Sequence, residues 1–209
     1  MSTPLTQNSK ATLNLRWVTE PPIRQLTKEE TGFAINQLKG NLTGWDTVKD
    51  AHLGTVDVTD WQDPKRTQEE RWNQRISSTN SMLKKDFSDE TNFGYFVDGQ
   101  PIGIMTIDDI GSDNSFYICD LVTHPGSGEA GGILIEHAAQ WSDSHGGSGK
   151  LELWALDEDA LRAYLALGFK SIPQKATNSM MLDPGQTASW CKLDGKWRIA
   201  KHIGKKYIG

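Results

Sequence analysis

The alternation of apolar and polar residues defines the first elements of the chain. Residues 13–19 alternate between apolar and polar side chains, which predicts a strand. Two later segments open with the capping pattern T-x-x-E, at 27–30 and at 67–70, in which the first and fourth side chains satisfy free N–H groups of a first helical turn. The patterns predict one helix from Thr27 to Leu38, stopping at Gly40, and a second from Thr67 to about Lys85.

The middle of the chain has the patterns of a hairpin and of one continuous strand-loop-helix-strand-helix unit. Apolar runs at 93–97 and 101–107 flank Asp98-Gly99, a pair suited to a tight hairpin turn. The unit that follows spans 116–169 and contains a glycine-rich turn between its first strand and its first helix. Its predicted parts are a strand at 116–122, the turn at 126–132, a helix from Ile133, a strand at 151–154 and a helix from Asp157 to Leu167, ended by Gly168.

The patterns after residue 169 predict mainly strands. A strand is expected at 179–182, and a hairpin at 190–200 that turns at Asp194-Gly195. The predicted order of elements is therefore βααβββαβαβ followed by a hairpin. We expect a disordered N-terminus at 1–11, one α/β domain at 12–185 and a basic C-terminal hairpin and tail at 186–209.

Composition and charge restrict the class of protein. The chain has 209 residues, no apolar stretch near the roughly 20 residues of a membrane helix, and only Cys119 and Cys191 as cysteines. These features predict a cytoplasmic protein without a disulfide framework, a membrane partner or a four-ligand zinc site. Residues 190–209 carry six Lys or Arg against one Asp although the whole chain is at −5, so the remainder is acidic and nucleic acid is not an expected partner.

The glycine-rich turn predicts an anion site. A strand that feeds a glycine-rich turn at a helix start directs free N–H groups and the positive end of the helix at one point, where phosphate is the usual occupant. The N–H groups between Ser127 and Gly132 would take a pyrophosphate. The stretch 146–150, Gly-Gly-Ser-Gly-Lys, is no nucleotide P-loop, because Ser144 and Leu151 occupy positions where that motif needs Gly and Ser or Thr.

Three segments of this unit resemble the GNAT superfamily of acyl-coenzyme A-dependent N-acetyltransferases. They are 121–125, similar to the end of the family's fourth strand; 126–132, in the place of its pyrophosphate loop; and 157–169, similar to the signature N-x-x-A-x-x-x-Y-x-x-x-G-F. The resemblance implies an α/β (α+β) fold with a mixed, largely antiparallel central sheet, splayed parallel strands 4 and 5, and flanking helices. Gly126 and Glu129 replace the family's Arg or Gln and its first loop glycine, and Asp157 replaces its Asn.

The resemblance also implies where acetyl-CoA binds, with no metal involved. Pantetheine would pair with the backbone of strand 4, and the N–H of Val122 would polarise the thioester carbonyl. The implied coenzyme-binding residues are Leu121, Val122, Thr123, Gly126, Ser127, Gly128, Glu129, Ala130, Gly131, Gly132, Asp157 and Tyr164.

Direct acyl transfer needs a deprotonated amine, a polarised thioester and a proton donor for the departing thiolate. Tyr164 matches the family's tyrosine near the sulfur and is the expected general acid. Asp120 is the expected base, and Asp108, Asp109 and His124 are alternatives. His137 is expected in the core, while Trp45, Trp61 and Trp72 fall where the family builds its acceptor wall.

The sequence therefore predicts an N-acetyltransferase that moves an acetyl group from acetyl-CoA to a primary amine of a small molecule or peptide by direct attack. Two alternatives remain open: a non-catalytic CoA- or peptide-binding module, which the altered loop favours, and a secreted effector of the same family. The expected assembly is a monomer or a homodimer.

Overall fold

A computed structural model describes residues 23–43, 68–87, 90–111, 114–124, 127, 129–173 and 175–201. The predicted strand at 13–19 and the N-terminus at 1–11 lie outside these residues. The helices are α1 (Lys28–Thr43), α2 (Gln68–Met82), α3 (Ala130–Ser144) and α4 (Glu158–Ala166), with a 3₁₀ turn at Pro184–Gln186. The strands are β1 (Ile23–Leu26), β2 (Thr91–Val97), β3 (Gln100–Asp108), β4 (Phe116–Thr123), β5 (Leu151–Trp154), β6 (Lys170–Ser171), β7 (Ser179–Leu182), β8 (Trp190–Leu193) and β9 (Lys196–Ile199).

The first capping box forms as the sequence indicates. Thr27 Oγ1 accepts from the Glu30 N–H at 3.2 Å, and Glu30 Oε2 accepts from the Thr27 N–H at 2.9 Å. The predicted stop at Gly40 is wrong, because α1 continues to Thr43. A glycine inside a helix costs only about 0.5–1 kcal/mol relative to alanine, so Gly40 alone does not end it. Helix α2 ends at Met82, slightly before the predicted Lys85, and Thr67 lies outside the described residues.

The described strands form a seven-stranded sheet in the order β1-β2-β3-β4-β5-β7-β6 and a separate β8-β9 hairpin. Each neighbouring pair in the large sheet is antiparallel except β4 and β5, which run parallel. This is the mixed, largely antiparallel sheet predicted from the sequence. The β2-β3 turn has positive φ at both Asp98 (49°) and Gly99 (77°), as a tight hairpin turn of the primed type requires.

Helices cover both faces of the sheet. Helix α3 packs on one face, where Ile133, Leu134 and Ala138 are buried in the larger core cluster. Helix α1 packs on the other face, with Ile35 and Leu38 at 0% exposure. A site between β4 and β5 would therefore have the α3 cluster on one side of the sheet and the α1 cluster on the other. None of the helices in the described ranges is long and apolar enough to cross a membrane.

The C-terminal hairpin packs against α3. Glu136 on α3 is 2% exposed; its Oε1 accepts from the Ile199 N–H at 2.9 Å and its Oε2 from Arg198 Nη1 at 3.2 Å. The side chains of Trp190 and Ile199 are buried in the same core cluster as α3. The hairpin is thus fixed to the helix through a buried carboxylate as well as through apolar contact.

Candidate functional site

The parallel pair of β4 and β5 opens part of the way along. Pairing joins Phe116 to Leu151, Tyr117 to Glu152 and Ile118 to Leu153, and β5 ends one residue later, at Trp154. Strand β4 continues to Thr123. Among the described residues, the backbone of 119–123 therefore has no strand paired with it on the β5 side, and we call this gap the splay.

A β-bulge lies where the splay begins. Thr106 on β3 pairs with Asp120, but the next residue, Ile107, pairs with Ile118, so Cys119 is the extra residue of β4. A bulge of this kind bends its strand and redirects the side chains next to it. It brings Asp120 onto the α2 side of the sheet, where Lys85 pairs with it. No pattern in the sequence indicated this bulge.

The direction of the β4 backbone decides which N–H groups face the splay. His124 donates its N–H to Ile102 O on β3 at 2.7 Å. Because N–H groups alternate in direction along a strand, the Val122 N–H also points to β3, while those of Leu121 and Thr123 point into the splay. The Val122 N–H, which was expected to polarise a thioester, therefore points away from the splay, and the N–H groups that face it are those of Leu121 and Thr123. The Val122 side chain is buried on the α1 face at 1% exposure.

Helix α3 begins beyond the end of β4. Ala130 donates its N–H to Ser127 O at 2.9 Å, which closes a turn, and Ser127 donates its own N–H to His124 O at 3.0 Å. Gly131 has no described atom within 4 Å of where a Cβ would lie, so its backbone is open to close approach. Gly132 is the third residue of the helix, and N–H groups of a first helical turn have no partner within the helix. The predicted loop residues Gly126 and Gly128 lie outside the described residues.

Glu129 stands at the N-cap position of α3 without the usual capping bond. Its φ of −110° and ψ of −7° are helical, and its side chain makes no capping hydrogen bond. Burial raises the pKa of Tyr95, and the nearby Glu129 carboxylate raises it further. The carboxylate is therefore close enough to the buried Tyr95 to affect it, and its residue is at the start of α3.

Tyr164 lies on α4, the helix that follows β5. Its ring packs against the core and contacts Phe169, with 5.4 Å between ring centroids. Burial is the main cause that raises the pKa of Tyr164 to about 12; Arg75 on α2 opposes the rise, and the carboxylates of Asp157 and Asp120 contribute to it. The phenol therefore keeps its proton at neutral pH and can donate it. Arg75 was not indicated by the sequence pattern.

Both oxygens of Asp157 have protein partners. Oδ1 accepts from the Ala160 N–H at 2.7 Å, which is the predicted helix cap, and Oδ2 accepts from Gln74 Nε2 on α2. A coenzyme contact at Asp157 would have to share or displace these bonds. The structure gives Asp157 a capping role that the sequence predicted and a link to α2 that it did not.

Asp120, the predicted base, forms an ion pair with Lys85 and accepts a long hydrogen bond from Thr106 Oγ1 at 3.4 Å. Burial alone would lower the pKa of Lys85, but its bond to Asp120 and the nearby negative charges raise the value. Asp120 is near enough to Tyr164 to affect its pKa, so the structure does bring the two predicted catalytic residues together.

The remaining candidates lie in different places. Asp108 is the last residue of β3 and Asp109 follows it. The Asp109 N–H donates a hydrogen bond to Asp108 Oδ1 at 2.7 Å. His137 is half-buried and its ring lies edge-on to Phe93 at 4.7 Å. The positions of Trp45 and Trp61 and the side chain of Trp72 lie outside the described residues.

Neither a protein-family model nor any curated protein matches the sequence. Solved structures with a similar fold include PaiA N-acetyltransferase from Thermoplasma acidophilum in complex with coenzyme A, with 19% identity, coverage of 76% of this chain and 95% of that chain, and a TM-score of 0.44. A GCN5-related N-acetyltransferase from Rhodopseudomonas palustris has 15% identity, coverage of 86% and 91%, and a TM-score of 0.43. The AtaT-AtaR complex bound to DNA has 16% identity, coverage of 77% and 92%, and a TM-score of 0.42.

The fold assignment rests on the topology of the chain itself. The sheet is mixed, β4 and β5 are its parallel pair, and they separate after Ile118 and Leu153. Helix α3 follows β4 across the glycine-containing turn, and α4 carries Tyr164 directly after β5. This is the arrangement of strands and helices that the resemblance to the GNAT superfamily implied.

Proposed function

We propose that the protein transfers an acetyl group from acetyl-CoA to a primary amine by direct attack. The observation that carries the proposal is the splay itself: an unpaired β4 edge with the N–H groups of Leu121 and Thr123 directed into it. An extended, amide-rich pantetheine arm can pair with such an edge as an added strand does. The diphosphate then meets the first turn of α3, and the thioester comes to lie near the bulge.

The residues around the splay supply the parts of the reaction. The amine nitrogen attacks the thioester carbon, and the N–H of Leu121 or Thr123 stabilises the negative charge that forms on its oxygen. The C–S bond then breaks, and Tyr164 gives its proton to the departing thiolate. The proton lost by the amine passes to Asp120 through water, because Lys85 already occupies one oxygen of Asp120.

Direct attack is favoured over an acetylated enzyme because the nearby cysteine is a poor nucleophile. Burial, together with the carboxylates of Glu90 and Asp108, raises the pKa of the Cys119 thiol to about 12. Since the thiolate is the nucleophilic form, Cys119 is almost entirely unreactive at neutral pH. This supports attack on the thioester by the amine itself.

A non-catalytic coenzyme-binding module is the second candidate. The observations that favour it are the Glu129 carboxylate at the start of α3 and the ion pair that holds Asp120. Such a module would bind acetyl-CoA and its free thiol form but would release no thiol in the presence of any amine.

The test combines binding with turnover. Calorimetry with acetyl-CoA and CoA measures binding, and thiol release with a panel of primary amines measures transfer. We expect the parent to bind both and to turn over, and Tyr164→Phe to bind with unchanged affinity but lose most of its kcat. The matched control is Tyr117→Phe, in the paired part of β4, which should keep its kcat. Binding without turnover supports the module, and no binding of either ligand rejects both candidates.

A further inference from the structure

A second cleft lies at the opposite end of α3 from the phosphate-binding turn. It has a volume of about 250 Å³ and is lined by Ile107, Asp108, Asp109, Phe116, Trp141 and His145, among others. We call it the aromatic cleft. Helix α3 has 15 residues, which at about 1.5 Å per residue separates its two ends by roughly 20 Å. The cleft is therefore separate from the anion site at the start of that helix.

One wall of the aromatic cleft is a fixed stack of rings. The rings of Trp141 and His145 stack with 3.8 Å between centroids and an angle of 25°. His145 Nδ1 lies 2.8 Å from Trp141 O, and because a carbonyl only accepts, this nitrogen donates and holds the imidazole over the indole. Phe116 meets His145 edge-on at 6.2 Å. Stacking covers one face of each of these two rings, so the cleft meets the rest of the aromatic wall, in which Trp141 and Phe116 are the rings that attract organic cations best.

The charges around the cleft have one sign. Asp108 and Asp109 supply two carboxylates, and within the part of the chain that the structure describes neither is in an ion pair. The cleft is at the C-terminal, negative end of α3, and the last turn of that helix has no basic residue. No lysine or arginine is among the described lining residues. Ring faces, carboxylates and helix end therefore all favour a positive ligand.

We propose that the aromatic cleft binds a small organic cation, an alkylammonium or alkylguanidinium group. The cleft volume is below the roughly 300–1,000 Å³ of sites that enclose drug-sized ligands, so it suits a charged head group on a short chain. The head group lies against the rings and between the two carboxylates. This inference does not depend on acetyl transfer, because it uses neither the splay nor Tyr164.

The experiment titrates the protein with n-butylammonium, n-butylguanidinium and the neutral pentanamide, with calorimetry as the readout. We expect saturable binding of at least one cation, little binding of pentanamide, and binding about fivefold or more weaker in D108N/D109N, as two lost charge contacts predict. The matched control is Asp98→Asn, a carboxylate at the other end of the same β2-β3 hairpin, where asparagine also tolerates the positive φ. That variant should bind like the parent.

A second variant tests the rings independently of charge. His145 is exposed, so His145→Ala removes one ring of the stack with little risk to folding, which thermal unfolding verifies. We expect several-fold weaker cation binding because the wall loses the ring that is stacked on Trp141 and contacts Phe116. Three results overturn the proposal: no saturable binding of either cation, equal binding of pentanamide, or unchanged affinity in both D108N/D109N and His145→Ala.

Discussion

Gln74 on α2 donates a hydrogen bond to Oδ2 of Asp157, a residue 83 positions later that caps α4 through its other oxygen. One side chain thus fixes the start of the helix that carries Tyr164 and ties that helix to α2. The two functions of Asp157 can be separated by substitution.

Asp157→Ala removes both the cap and the link, and we expect it to lower the free energy of unfolding by about 1 kcal/mol or more. Asp157→Asn keeps an oxygen for the Ala160 N–H and should lose less. Gln74→Ala breaks only the link and serves as the matched comparison. Urea denaturation of the three variants provides the measurement, and equal losses in Asp157→Ala and Gln74→Ala would show that the cap contributes nothing.

Tyr164 should act as a protonated group over a wide pH range. Its pKa lies near 12, above the ordinary value near 10, so kcat should not fall through its ionisation between pH 8 and 10. We expect Tyr164→Phe to lower kcat by about 10²- to 10⁴-fold. Because the raised pKa favours the protonated form in the folded state, its stabilising effect is complete below pH 10 and is lost as pH rises through 12. In Tyr164→Phe, the free energy of unfolding should therefore fall less between pH 10 and pH 12 than it does in the parent.

Neighbouring N–H groups of β4 point to opposite sides of the strand, so a proline is expected to have different effects at positions 122 and 123. Thr123→Pro removes an N–H that faces the splay, so the sheet should persist while coenzyme affinity falls by about 2- to 12-fold, the worth of one hydrogen bond. Val122→Pro removes an N–H that bonds β3, so the fold itself should be destabilised. Thermal unfolding and calorimetry with CoA distinguish the two. A stable Val122→Pro protein with impaired coenzyme binding would reverse our assignment of the backbone direction.

Glu129 should weaken coenzyme binding. Replacing it with glutamine removes a negative charge at the start of a helix whose positive end would hold a diphosphate. We expect Glu129→Gln to bind CoA about two- to fivefold more tightly at low salt, with a smaller gain at high salt because of screening. Pantetheine, a fragment of the coenzyme that carries no diphosphate, should bind to the parent and to the variant with the same affinity. Tighter binding of pantetheine as well would indicate a steric rather than a charge effect.

Cys119 should resist alkylation in the folded protein. With a pKa of about 12, only roughly one thiol in ten thousand is ionised at pH 8. Treatment with iodoacetamide followed by mass spectrometry should find the Cys119 peptide unmodified in buffer but alkylated in urea. Equal rates in the two conditions would show that the thiol is neither buried nor suppressed by the neighbouring carboxylates.

The sequence predicted those parts of the fold that depend on local patterns. The Thr27 capping box, the Asp98-Gly99 turn and the Asp157 cap form as expected because each depends on residues within a few positions. Register depends on contacts between distant strands, so the bulge at Cys119 and the resulting direction of the Val122 N–H were not predictable. Strand β1 was also missed, since its four residues show no clear alternation.

The candidate site was predicted in part for the same reason. The resemblance of 157–169 to the GNAT signature pointed to Tyr164 and Asp157, and their roles in coenzyme binding and catalysis stay predictions. Their partners Gln74, Arg75 and Lys85 come from a helix and turn much earlier in the chain, and nothing in the sequence indicated those contacts.

The buried Glu136 links β9 to the helix whose start would hold the proposed diphosphate. Its carboxylate lies on α3, whose first turn contains Gly131 and Gly132, and it accepts hydrogen bonds from Arg198 and Ile199. A chain cut before residue 190 would lose both of these donors and leave the buried carboxylate less well satisfied, so we expect the helix to move. A proteolytic cleavage in the C-terminal hairpin would then weaken the proposed diphosphate binding without touching its site.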